Sequence, residues 1–289
     1  MVETANVGTA SLVLLILGAV LFMLGPVALA LVWKTRKKEL MSTILIGAAT
    51  FVLFALILEK PIQNVLLFPT VLGLQEHAVS SFLSAHPVLL ALAAGLFPGV
   101  FEETGRLIAL KTVLKKRRNK ETAISCGIGH GGFEVMLIVG VAYVQYVAYA
   151  IMINAGTFQT VVDQVAAQAP EQLGSVQEVV NLLASFSMAN LGLDLIERVF
   201  AVLFHIGASI LVFYACKDGK RFWLYPLAIL LHSVMDFLAA LYLFEVIHLS
   251  PWALEVLVAA FGCLVFFGAY CLLYRKDREN SPTALSNPG

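Results

Sequence analysis

Four apolar stretches of this chain carry ionisable residues well inside their ends. Glu102, Glu103 and Arg106 stand in the run FEETGR, His130 and Glu134 in GIGHGGFE, His205 follows Phe204, and His232 and Asp236 stand in HSVMD. Such side chains are costly in a membrane-crossing stretch and mark function by default. Glu102 and Arg106 are four apart, as are His130 and Glu134, and His232 and Asp236. Residues four apart share one face of a helix, so each pair can point into a common interior. His232 with Asp236 suggests an imidazole oriented by a carboxylate. Two adjacent glutamates cannot both ionise cheaply in low dielectric. Arg106 can hold one of them ionised and leave the other to work. Glu102, on the face of Arg106, is the candidate general base. Glu103 is then the residue that orients a scissile amide or shares the proton.

Two hydrolytic chemistries fit Glu102, Glu103, His130, Glu134, His205, His232 and Asp236 with Arg106 in support. In one, His130, His205 and His232 with a carboxylate hold a divalent metal such as zinc, and a glutamate deprotonates water. In the other no metal takes part: Glu102 or Glu103 activates water directly, and His and Asp side chains orient it and stabilise the oxyanion. Either cuts a peptide bond in or near a membrane, in a membrane-embedded or membrane-proximal polypeptide. Buried carboxylates and histidines also build proton relays, so a proton- or cation-coupled transporter or channel is the alternative. The chain lacks the inverted repeat common in transporters. It also lacks a helical HExxH and a GxSxG run.

The elements that must position these residues are transmembrane helices. Hydrophobic residues make up 60% of the chain and charged residues 13%, against roughly 45–50% and 25% in soluble domains. Apolar windows of spanning length cover 8–33, 41–67, 86–114, 122–153, 191–215, 222–247 and 251–274. The second is interrupted by Glu59 and Lys60. Of the 19 Lys and Arg, 16 fall in four short stretches, Lys34–Lys38, Lys111–Lys120, Lys217–Arg221 and Arg275–Arg278. With seven spans all four lie on one side, and the opposite connections, 68–85, 154–190 and 248–250, hold no Lys or Arg. The positive-inside rule then predicts an all-α bundle with its N-terminus outside and its C-terminus cytoplasmic. Counting from the cytoplasmic ends, Glu102, His130, Glu134, His205, His232 and Asp236 lie roughly 12–21 Å deep, in one layer.

Pro98 and Gly99 sit one turn before Glu102, where proline bends a helix. Gly127, Gly129, Gly131 and Gly132 surround His130 and allow close approach or an opening towards a cavity. The connection 154–190 shows two amphipathic periods, Phe158–Val165 and Val176–Leu183, which predict two short helices on the outer surface. Asp194, Glu197 and Arg198 lie at the outer end of the fifth span. Cys126, Cys216, Cys263 and Cys271 have no CxxC spacing, so neither a disulfide framework nor a thiolate metal site is expected. A net charge of zero gives no surface for nucleic acid. The reading is one transmembrane domain over 1–280, with its chemical core at about 86–240 and a disordered tail at 281–289.

The EExxR run, the His/Glu motif of the next span, the Arg198-to-Phe204-His205 stretch and the closing HxxxD resemble the YhfC family of intramembrane proteases. That family is similar to PrsW and to the CAAX-protease and bacteriocin-processing superfamily. The motifs cover residues 86–240, in order on four successive spans. The resemblance implies a helical intramembrane protease in a bacterial cell membrane, with Glu102 and Glu103 as the catalytic motif, of either glutamic or metal-dependent type.

Overall fold

The structure, a computed structural model, describes Val2 and residues 5–277; the predicted tail at 281–289 lies outside them. In chain order the helices are α1 (Thr9–Lys37), α2 (Met41–Leu67), the short α3 (Ala78–Ser84), α4 (Pro87–Lys111), α5 (Glu121–Asn154), α6 (Gln159–Gln168), α7 (Leu173–Ser185), α8 (Met188–Lys217), α9 (Leu224–Leu243) and α10 (Pro251–Tyr274). Seven of them, α1, α2, α4, α5, α8, α9 and α10, are long and apolar enough to cross a membrane. That matches the seven windows of the sequence, and the described residues include no strand.

The chain divides into two compact units. One holds the residues up to Ala28 with Val135–Leu195. In it Asn154 at the end of α5 pins the segment before α1, donating to the Val7 carbonyl at 2.9 Å and accepting from the Val7 N–H at 2.8 Å. Tyr143 of α5 is buried, and its hydroxyl donates to Asp194 Oδ2 at 2.5 Å. The connection 154–190 carries α6 and α7, which bury Val162, Val180 and Leu183 and leave their polar faces exposed.

The other unit, Leu29–Glu134 with the chain from Ile196 on, holds the ionisable residues. Its helices meet backbone to backbone. A side chain at Gly99 of α4 would overlap Ser233 of α9, and one at Gly129 of α5 would overlap the Ile44 carbonyl of α2. Absent Cβ atoms are what let these pairs close up. The middle of α2, Phe51–Glu59, is π-helical, and its buried residues recur at intervals of four: Phe51, Ala55, Glu59, Gln63 and Leu67. Such wide turns often mark functional sites. Pro98 does not end α4, which runs on to Lys111. Proline leaves the carbonyl four residues back without its helical donor, here Ala94, and Gln63 of α2 supplies one, Nε2 to O at 3.1 Å.

Candidate active site

α4, α5, α8 and α9 bring all seven residues singled out in the sequence to one place. His130 is fully buried, and its Nε2 lies 2.8 Å from Glu102 Oε2. Glu102 Oε2 is also 3.8 Å from His232 Nε2, whose other neighbour is Asp236 Oδ2 at 3.4 Å. His205 Nε2 lies 2.6 Å from Glu134 Oε2. The imidazole rings of His130 and His205 are 4.9 Å apart and those of His205 and His232 5.3 Å apart. Phe204 stands edge-on to both His205 and His232 and fixes their planes.

The four carboxylates have different partners, which sort them by use. Glu103 is sealed from solvent, binds the Arg106 guanidinium and accepts from His232 Nδ1 at 2.8 Å. Glu134 accepts from Arg198 Nη1 at 3.2 Å and meets His205 with its other oxygen. Glu134 is met on both oxygens, whereas Glu103 receives the guanidinium and the imidazole on Oε1 alone and its buried Oε2 makes no hydrogen bond. Glu102 is 7% exposed and faces only imidazoles. Asp236, at 36% side-chain exposure, opens furthest to its surroundings. The face shared by Glu102 and Arg106 pointed to that pair, but the arginine takes Glu103 at three residues' spacing instead. Positions three apart are equally neighbours on a helix, and this choice leaves Glu102 without a cation from its own helix.

Ring partners fix where the imidazoles carry protons. The Thr50 hydroxyl donates to the Gly47 carbonyl at 2.6 Å, so it accepts from His130 Nδ1 at 3.1 Å. In the neutral ring this leaves the Nε2 lone pair facing a carboxylate oxygen. Two acceptors at 2.8 Å need a proton or a cation between them. Arg106 Nη2 lies 3.3 Å from His205 Nδ1. A guanidinium only donates, so His205 accepts there and carries its proton at Nε2, towards Glu134.

Three participants join the seven: Thr50 and Glu59, which the sequence did not place in the site, and Arg198, which it placed at the outer end of a span. Thr50 gave no signal, being one of several hydroxyls in an apolar span. Glu59 is fully buried with neither oxygen hydrogen-bonded; Lys60 Nζ stands 3.3 Å from Oε1, and Glu102 and Asp236 are within electrostatic reach. Arg198 binds Glu134 and Glu197, so it faces the site. A signal for the last two was present. Lys60, Arg106 and Arg198 are the only basic residues outside the four charged stretches, and each pairs with a glutamate.

The donor chemistry suits a divalent metal. The ligand-capable atoms of His130, Glu134 and His205 lie within 4.8 Å of one another, as do those of Glu102, His205 and His232. Fold and site thus define a polytopic membrane protein with a buried histidine–glutamate centre. The chain belongs to the family described as YhfC intramembrane metalloprotease, whose profile matches residues 19–258. It is 31% identical over 247 residues to a Bacillus subtilis (strain 168) protein described as uncharacterized membrane protein YhfC, covering 86% of this chain and 90% of that one. No solved structure matches it.

Proposed function

We propose that this protein is a metal-dependent intramembrane endopeptidase with Glu102 as its general base. The observation that carries the reading is the sorting of carboxylates. Glu103 and Glu134 are consumed by Arg106 and Arg198, whereas Glu102 meets only imidazoles at 2.8 and 3.8 Å. His130, Glu134 and His205 form a two-histidine, one-glutamate set of the kind that catalytic zinc takes. A metal bound there would polarise the scissile carbonyl and lower the pKa of a bound water. The chain's own residues do the rest. Thr50 orients His130 through Nδ1, and Arg198 orients Glu134. Glu102 receives the proton of the attacking water and returns it to the leaving amine. His232, held by Glu103 at Nδ1 and oriented by Asp236 beside Nε2, borders the same space and is positioned to steady charge on the carbonyl oxygen.

The test uses purified protein in liposomes with a library of single-span substrates. Glu102→Gln keeps the shape and removes the base, so cleavage should fall about 10²–10⁴-fold while substrate still binds. Wild-type cleavage that persists unchanged in Glu102→Gln removes this residue from the mechanism. Cleavage that resists exhaustive metal chelation returns the chemistry to the glutamates alone.

A further inference from the structure

A second built feature lies away from the site, where the basic stretches gather. A cavity of about 700 Å³ is lined by Arg118, Lys217, Arg221 and Lys276, with Asp218 and Asp277 as its acids. A neighbouring cavity of about 100 Å³ shares Arg118 and Lys217 and adds three further cations from the 111–117 stretch and no acid. Both aspartates are already committed. Asp277 accepts from the Tyr214 hydroxyl at 2.7 Å and from Lys217 Nζ at 2.8 Å. Asp218 accepts from the Lys220 N–H at 3.0 Å and pairs with Arg221 at 3.5 Å. Arg118 and Lys276 make no hydrogen bond or ion pair among the described residues. Cations nearby rest over rings, Lys111 at 4.6 Å from the Phe222 centroid and Lys120 at 5.0 Å from that of Tyr274.

Gathered like charges in a concave, low-dielectric setting concentrate a positive field that an anion relieves. The same cavity has an apolar flank, with Leu272 64% exposed at its edge. Phosphate at one end and hydrocarbon at the other is the chemistry of a phospholipid, and basic pockets between spans at the membrane surface take such head groups. We propose that this cavity binds the phosphate of one anionic phospholipid, with Arg118 and Lys276 as the uncommitted donors and Leu272 against an acyl chain.

The test uses the full chain in nanodiscs of phosphatidylcholine with increasing phosphatidylglycerol, read by native mass spectrometry as retained lipid. Arg118→Gln with Lys276→Gln should weaken phosphatidylglycerol retention about 25-fold, near fivefold for each cation. Arg118→Lys with Lys276→Arg keeps the charges and should retain most of it. Lys34→Gln with Arg36→Gln removes two exposed cations outside the cavity and should leave retention within about twofold. Equal losses in the two glutamine pairs would make the effect a diffuse surface field and overturn the site. Retention of phosphatidylcholine as strong as that of phosphatidylglycerol also overturns it. So does inorganic phosphate binding as tightly as the lipid, since the cavity would then take a soluble anion. None of these readouts depends on proteolysis.

Discussion

At the residue scale, the site is a set of paired charges, and the pairs predict which substitutions harm folding and which harm function. Arg106 is fully buried between Glu103 and His205. Arg106→Ala leaves Glu103 buried without its guanidinium and with only His232 beside it, so thermal unfolding should show a loss of about 3–5 kcal/mol. Arg198 is partly exposed and acts through Glu134. Arg198→Gln should cost less stability but weaken zinc binding about 10–100-fold, as loss of an outer-shell partner does, read by metal competition. A metal taken at His205 Nε2 moves the ring proton to Nδ1, which faces Arg106 Nη2 at 3.3 Å, so the guanidinium must turn away as the metal binds. His205→Ala should weaken zinc binding in the same metal competition, and unchanged affinity rules out His205 Nε2 as a ligand. The sequence made Glu102, Glu103, His130, Glu134, His205, His232 and Asp236 legible, because an ionisable group in an apolar span stands out. It did not show which glutamate Arg106 takes, since spacings of three and four are both neighbours. Thr50 was invisible for the opposite reason, as hydroxyls are common in such spans.

At the scale of elements, hydropathy made the number of spans legible, while the detail that shapes the site was not. Nothing in FVLFALILE announces a π-helical turn, because that register depends on what α2 packs against. Pro98 predicted a bend, and the structure answers with a compensating donor from another helix. Gln63→Leu removes the donor to the Ala94 carbonyl and should destabilise by about 1–3 kcal/mol, whereas a Gln63→Leu protein as stable as wild type would mean that the carbonyl has found another partner. Gly129 faces the Ile44 carbonyl with no room for a Cβ. Gly129→Leu forces α2 and α5 apart, so His130 should lose its Thr50 partner and zinc affinity should fall together with stability.

For the molecule as a whole, the four basic stretches argue that the connection 154–190 faces outward and the 115–120 turn inward. A cysteine placed in 154–190 should react with an impermeant thiol reagent applied outside intact cells, and one at 115–120 should not; the reverse pattern overturns this orientation. The paired charges also bear on how the protein is made. Glu102 meets His130 only 28 residues later in the chain, Glu134 meets Arg198 64 residues later, and Glu103 meets His232 129 residues later. At roughly 5–20 residues per second of synthesis, the last two waits are about 3–13 s and 6–26 s. During them a nascent chain holds ionisable groups whose partners do not yet exist. The early spans must therefore be sheltered by the insertion machinery until the later ones arrive. A chain cut short before Arg198 enters the bilayer with Glu134 uncompensated, which exposes it to quality-control proteolysis long before any question of catalysis arises.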